Sequence, residues 1–482
     1  MGRSVIKKPE RVFARDEEWA ALVEFATSPA NELRLGIVSG RRRQGKTFLL
    51  QDLAEAVGGF HFVAVEATER DALRQYGIAL AAHLEVGGQL TFANWDEAIG
   101  YTLDRCADRV VIIDEFPYLI RSSPSLPSIL QREVDARGEG RGRGRLLLCG
   151  SAMSVMGGLL GGQAPLRGRA SLELVVQPFD YRTAARFWNL GDPRLAVLVH
   201  AIVGGTPAYR KRFVDDDSPS SLEAFDDWVV RRVLSGRAPL LREARYLLSN
   251  ESDVRDEALY HAVLGAIAAG NNRRGNIASY MERKSTDIAH PLAVLEDCRL
   301  IQRQDDALNK GKPHFRIVEP LITFYESVIR PSWTRLELGH AAETWRDSRS
   351  RFLSQVVGPH FESLCREFAM RAEASTFGGF AGEVSAGTVA RSIEIDVVVL
   401  SPSYANEKRR LLSLGECKWG EVMDPGHLAR LRDARDLIHM KGYDTRDTVL
   451  ACYSGAGFDE RLRQEARRDP RVLLVDLDRL YG

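Results

Sequence analysis

The chain has 482 residues, 44% hydrophobic and 27% charged, the composition of a soluble globular protein with room for about three domains at ~150 residues each. Lys plus Arg and Asp plus Glu number 66 each, so no net positive charge draws the whole molecule onto nucleic acid, and any such contact has to be local. Six cysteines without a C-x-x-C pair speak against a disulfide framework or cysteine-zinc site and for a reduced, cytoplasmic protein, and neither "MGRSVIKKPERVF" nor any apolar run suits a membrane-spanning segment.

Between residues 34 and 178 the short apolar runs "LRLGIVSG", "FHFVAVEAT", "RVVIIDE", "RLLLCGS" and "LELVVQP" alternate with helix-length segments. That alternation predicts a parallel sheet with helices on both faces, an α/β nucleotide-binding domain over residues 1–180. The stretch "GRRRQGKT" (Gly40, Arg41, Arg42, Arg43, Gln44, Gly45, Lys46, Thr47) fits G-x-x-x-x-G-K-[ST] where a strand ends and a helix begins. Its glycines let the backbone curl so that N–H groups face phosphates, and the helix adds its positive end, about half an elementary charge. Lys46 is expected to bridge the β and γ phosphates of ATP, and Thr47 to bind Mg²⁺ through its hydroxyl. In "VVIIDEF", Asp114 is expected in the Mg²⁺ shell and Glu115 as the base for the attacking water, so the pair predicts hydrolysis as well as binding.

Residues 181–255 read as a helical lid ("RTAARFW", "EAFDDWVVRRVL") interrupted by "VGGTP" and closing over the sheet's C-terminal edge. Residues 256–330 follow the order helix, helix, helix and two strands, a winged helix-turn-helix. If it read DNA, the helix in "ERKSTDIAHPL" would carry Arg283, Lys284, Ser285 and His290 into the major groove, and the wing would offer Lys310, Lys312 and His314 to phosphates. With eight Lys or Arg against six Asp or Glu between 273 and 314, a structural or regulatory role is the other reading. "RGEGRGRGR" is a basic loop that either touches nucleic acid or is simply solvated. Residues 331–350 read as a connector.

From 351 to 482 the order is helix ("HFESLCREFAM"), strands ("SIEIDVVVL", "LLSLGECKW"), helix ("GHLARLRDARDLI") and two further strands ("DTVLACYS", "RVLLVDL"). Residues two apart on a strand share a face, so Glu416 and Lys418 project together, and pairing with the preceding strand brings Asp396 to them. Two carboxylates supply hard oxygen ligands for Mg²⁺, and a lysine beside the metal can position a water for attack on a phosphodiester. Glu362, off the stripe Phe361, Leu364 and Phe368, is a third candidate carboxylate.

"FARDEE", "SGRRRQGKT", "VVIIDEFPYL", "LLLCGSAMSVM", "PLRGRAS" and "VGGTPAYR" together resemble the archaeal-type ATPases of the STAND branch of the AAA+ superfamily. The resemblance implies strand order 5-1-4-3-2, a polar sensor at Ser151, an arginine near the phosphates at Arg167 or Arg169, and Gly204, Gly205 and Pro207 beside the nucleotide base. The helix with Glu362, the strand with Asp396 and the strand with Glu416 and Lys418 resemble the PD-(D/E)xK nuclease fold of restriction endonucleases, with Ile395 where the motif has proline. These likenesses imply an ATP- and Mg²⁺-dependent enzyme regulating a DNA nuclease, with nucleotide-dependent self-association. The alternative is an ATP-driven switch or scaffold that binds nucleic acid or protein without cleavage.

Overall fold

The computed structural model describes residues 6–29, 31–138, 140, 142–249, 256–389, 393–404 and 408–482. Parts of the "RGEGRGRGR" loop and the expected boundary at 255 lie outside them. The chain divides into two compact units, one ending at Pro178 and including Thr206–Ala208, the other containing Phe179–Gly205, Tyr209–Leu248 and the C-terminal remainder.

In the first unit the elements run α1 (Asp16–Thr27), β1 (Leu33–Ser39), α2 (Lys46–Val57), β2 (Phe60–Val63), α3 (Glu69–His83), α4 (Trp95–Arg105) and β3 (Val110–Asp114). Then come α5 (Phe116–Ser122), α6 (Leu126–Ala136), β4 (Gly144–Gly150), α7 (Met153–Gly158) and β5 (Ala170–Val175). The five strands are parallel in the expected order β5-β1-β4-β3-β2. Interior β3 is buried at every position, as its apolar run Val110–Ile113 requires. Tyr76, Trp95 and Ile99 cover one face and Trp19, Phe25 and Leu53 the other, each burial worth roughly 1.5–3 kcal/mol. Thr68 and Asn94 start α3 and α4 by accepting the N–H of Asp71 and Glu97, and α2 ends at Gly58 with φ 65°.

The second unit opens with α8 (Tyr181–Phe187), α9 (Pro193–Val203), α10 (Leu222–Trp228), α11 (Leu240–Ser249), α12 (Glu257–Ala268), α13 (Arg274–Tyr280) and α14 (Ala289–Asp297). An antiparallel hairpin, β6 (Ile301–Asp306) and β7 (Asn309–Ile317), follows. Next are α15 (Pro320–Phe324), a π-helical turn at Tyr325–Ile329, α16 (Trp333–Glu337), α17 (Ala341–Arg351), α18 (Gly358–Arg371) and α19 (Ala374–Phe377). The chain finishes with β8 (Glu383–Val389), β9 (Ile393–Leu400), β10 (Leu411–Lys418), α20 (Pro425–Met440), β11 (Val449–Ser454), α21 (Glu460–Arg468), β12 (Val472–Val475) and α22 (Leu477–Tyr481). These strands form a mixed sheet in the order β12-β11-β10-β9-β8, with β8, β9 and β10 antiparallel and β10, β11 and β12 parallel.

Four expectations change. The stretch read as a connector is helical: Trp345 packs on Phe225 and Phe352, and its indole N–H donates to Asp226 at 3.0 Å. The helices read as a lid belong to the second unit, where Asp180 pairs with Arg371 at 3.1 Å and the Arg194 guanidinium stacks 4.5 Å from the Trp419 ring. Helix α14 starts at Ala289, so Arg283, Lys284 and Ser285 lie in the exposed turn before it and only His290 is on the helix.

The fourth concerns the hairpin. The stretch "DDALNKGKP" (305–313), which its Gly and Pro would make a loop between the two strands, is mostly strand, and the hairpin tip is buried against β8. Ala307 N donates to Ala386 O at 3.1 Å. Asp306 Oδ1 accepts from the amides of Leu308 and Asn309 at 3.0 Å each and of Thr388 at 3.2 Å. His314 stands 3.7 Å from Asp306 Oδ2 instead of facing outward, Lys312 is exposed, and the Lys310 side chain lies outside the described set. Among the described residues no helix is long and apolar enough to cross a membrane.

Candidate functional site

Strand β1 delivers the chain to Gly40, whose φ of 154° and close approach to Val176 O exclude a side chain: a Cβ there would lie 2.5 Å from that oxygen. Gly45 caps α2 at φ 86°, and between them Arg43 also adopts a left-handed conformation, φ 70°. The loop curls around the Lys46 ammonium, which donates to the carbonyls of Gly40 at 2.6 Å and Arg41 at 2.9 Å. Burial pushes the Lys46 pKa down, against the nearby Cys149, Glu115 and Asp114. Arg41 is buried, Arg42 donates to the Tyr118 hydroxyl at 3.0 Å, and Gln44 donates to Thr206 Oγ1 at 3.1 Å, joining the loop to the residue before Pro207.

Asp114 is fully buried at the end of β3. Burial works to raise its pKa, but the His61 imidazole, Thr47 hydroxyl, Cys149 thiol and Glu115 amide outweigh it and bring it down to about 2. The Glu115 amide donates to Asp114 Oδ1 at 2.8 Å, whereas Oδ2 is a buried atom without a hydrogen bond. Such a carboxylate oxygen beside a threonine hydroxyl fits a hard divalent cation in donor type. Glu115 sits at φ 53°, a left-handed conformation that a non-glycine residue adopts at a cost of order 1–3 kcal/mol, and its carboxylate receives the Ser151 hydroxyl. Ser151 follows β4 immediately, so the expected sensor does meet the expected base.

Arg169 requires a correction. It precedes β5, and β5 pairs in parallel with β1 so that Ala170 lies level with Leu35, five residues before Gly40. At ~3.3 Å per residue that is roughly 16 Å from the phosphate loop, beyond an arginine's reach. Its guanidinium instead makes a two-point pair with Asp135, at 2.6 and 2.8 Å. Arg167 donates to Gly162 O within the same loop. Gly205 closes on another element: a Cβ there would lie 1.9 Å from Phe179 O, and Phe179 N donates to Gly205 O at 2.9 Å.

In the C-terminal sheet, β9 and β10 pair antiparallel through Val397 and Gly415, so Asp396 and Glu416 are the next facing positions. Glu416 Oε1 takes both Lys418 Nζ at 3.2 Å and Arg430 Nη1 of α20 at 2.9 Å. Asp396 Oδ2 accepts the Cys417 amide at 2.7 Å, and the Asp396 carbonyl accepts Arg366 Nη1 at 2.8 Å. Burial first, then the Glu362 and Glu416 carboxylates, push the Asp396 pKa up to about 7, with the Cys417 amide and Arg366 opposing. Glu362 lies 3.6 Å from Arg366, one helical turn along α18. Asp396, Glu416, Lys418 and Glu362 therefore share one neighbourhood, yet among the described residues no three His, Cys, Asp or Glu side chains stand close enough to hold a metal.

The sequence reading missed Arg366, Arg430 and His61. Arg366 was signalled by its i+4 spacing from Glu362; Arg430 and His61 depend on how α20 and β2 meet their neighbours.

Comparison with known proteins finds a match to the family model DUF234, archaea bacterial proteins of unknown function, over residues 325–429. The uncharacterized protein MJECL04 of Methanocaldococcus jannaschii is 26% identical over 470 residues, covering 96% of this chain and 98% of that one. Among solved structures, similarity extends to the Walker-type ATPase paby2304 of Pyrococcus abyssi, with 18% identity, 66% of this chain, 97% of that chain and TM-score 0.49. It extends also to the ORC2 protein of Aeropyrum pernix in ADPNP-ADP complexes, with 15% identity, 73% and 98% coverage and TM-score 0.40.

Proposed function

We propose that this protein is an ATP-binding, ATP-hydrolysing P-loop enzyme whose nucleotide cycle regulates a metal-dependent DNA nuclease in the C-terminal α/β domain. The observation that carries the ATPase reading is the meeting of the phosphate loop with two strand ends: Thr47 neighbours Asp114, and Ser151 neighbours Glu115. The backbone amides of Gly40–Thr47 and the Lys46 ammonium bind the phosphates; Thr47 and Asp114 hold Mg²⁺. Glu115 accepts the proton of the attacking water, and Ser151 orients it. Mg²⁺ in that shell supplies neutralisation of phosphate charge.

For the nuclease, the crowding of Asp396 by Glu362 and Glu416 is the supporting observation, since carboxylates forced together favour a divalent cation. Asp396 and Glu416 are its ligands, Glu362 a further carboxylate, and Lys418 the residue that positions water. The three helices and hairpin at 256–330 are a winged helix used mainly as a structural arm, because its wing tip is spent on β8. Nucleotide-dependent self-association and a cytoplasmic setting, supported by six buried cysteine thiols, complete the proposal.

One observation favours a second reading, a switch or scaffold without cleavage: Lys418 and Arg430 already neutralise Glu416. Incubating plasmid and branched DNA with Mg²⁺ or Mn²⁺, with and without ATP, decides between them. Cutting by the wild type that Lys418→Ala abolishes supports the nuclease; no cutting by the wild type under any nucleotide condition sinks it and leaves the scaffold.

A further inference from the structure

Strand β2 lies at the sheet edge next to β3, in parallel register His61 with Ile112 and Val63 with Asp114. Paired residues share a face, so the His61 side chain is on the side of β3 that carries Ile112 and, one pleat further, Asp114. His61 Nε2 stands 3.8 Å from Asp114 Oδ2, longer than a hydrogen bond, and both atoms are buried without one. A buried acceptor left unmatched is costly, and the imidazole, ahead of the Thr47 hydroxyl and the Cys149 thiol, is the side chain that most favours the charged Asp114 carboxylate.

We infer that His61 is a positioning residue for the Mg²⁺–nucleotide site: it fixes the rotation of the Asp114 carboxylate so that Oδ2 is held ready for the cation shell. This rests on the ATPase reading above and adds to it a residue outside the phosphate-loop motif. His61 also borders a groove of about 570 Å³ between α2, β2 and α3, lined in addition by Gln51, Glu55, Phe60, His83 and Arg109. Shortening His61 therefore extends an existing groove and makes no sealed cavity, so the fold tolerates the variants that test the idea.

The test is Mg²⁺ titration of fluorescent-ATP binding to the full chain, with binding in EDTA as the metal-free reference. His61→Ala is expected to move the Mg²⁺ half-saturation point up by about 10- to 100-fold while leaving binding in EDTA within about twofold, the behaviour of a lost partner to a ligating carboxylate. His61→Gln, which keeps an N–H donor at similar reach, is expected to return to within about threefold of wild type. A His61→Ala titration that overlays wild type, or His61→Gln as impaired as His61→Ala, overturns the inference. Lys46→Ala, run alongside, separates the two levels: if it binds nucleotide as wild type does, the ATPase reading itself falls.

Discussion

The Ser151 hydroxyl lies 3.0 Å from Glu115 Oε2 and 3.3 Å from Oε1, so one group at the end of β4 holds the carboxylate that begins just past β3. If Glu115 serves as the base proposed above, a carboxylate held this way is pointed rather than merely present. Glu115→Gln should cut ATP hydrolysis by about 10²- to 10⁴-fold, the usual contribution of a general base, while ATP stays bound. Ser151→Ala should cost roughly tenfold, because the base survives without its orienting partner. Single-turnover phosphate release alongside nucleotide binding checks both; normal hydrolysis by Glu115→Gln would remove Glu115 from the role.

Gly205 is set by contact, not by φ. A Cβ there would lie 1.9 Å from the backbone oxygen of Phe179, and backbone cannot rotate away as a side-chain end can. Gly205→Ala should destabilise by about 3 kcal/mol or more. Gly275, in α13 with open space around it, gives the contrast: Gly275→Ala should be neutral or stabilising by up to about 1 kcal/mol. Urea denaturation of the two variants reads the difference directly.

What the sequence shows and hides follows from the same physics. The strands of the first unit are legible because parallel strands buried on both faces carry near-continuous apolar runs, as "VVII" and "LLLC" are. β8 escaped notice because its middle, Ser385, Ala386, Gly387 and Thr388, is a run of small residues that carries no apolar alternation. The helix α17 was hidden likewise, since it buries Ala341, Thr344 and Ser348 around a single large residue, Trp345. Lys46, Thr47, Asp114 and the Glu416–Lys418 pair were readable from spacing along one strand or loop. Arg169 was misplaced because a motif gives chain order but not strand direction, and the start of β5 lies at the wrong end of the sheet. Contacts such as Ser151 with Glu115 and His61 with Asp114 depend on register between strands far apart in sequence, which no local pattern reports.

The hairpin tip depends on Asp306. Its Oδ1 gathers three backbone amides, from Leu308, Asn309 and Thr388, across the turn and onto β8. Asp306→Ala leaves those buried donors unmatched and should cost about 3 kcal/mol, whereas Asp306→Asn keeps an acceptor and should lose less than half of that. Burial acts to raise the Asp306 pKa, and the amides and Thr388 hold it below the ordinary value. A depressed carboxylate stabilises above its unfolded pKa and stops doing so as pH falls, so the Asp306→Ala penalty should shrink in acid. Chemical denaturation at neutral and acid pH measures both the cost and its trend.

A second pH dependence has the imidazole sign. His200 of α9 and His360 of α18 face each other with Nδ1 and Nε2 2.8 Å apart, a bond that requires one ring to donate and the other to accept with a free lone pair. Burial lowers both, His200 to about 4, with Asp180 pulling the other way, and His360 well below its ordinary value, helped by His200 and Arg316. Unfolded histidines take up protons near pH 6.5, so below that pH the unfolded chain binds more protons than the folded one. The stabilisation is therefore complete above about 6.5 and is lost as pH falls toward about 4, at no more than about 1.4 kcal/mol per pH unit for each imidazole. His200→Gln can still hydrogen-bond His360 but does not titrate, so its stability should fall less steeply over that window. Thermal denaturation of both proteins between these limits checks the slope; identical slopes would mean that the pair does not hold α9 on α18 as a neutral unit.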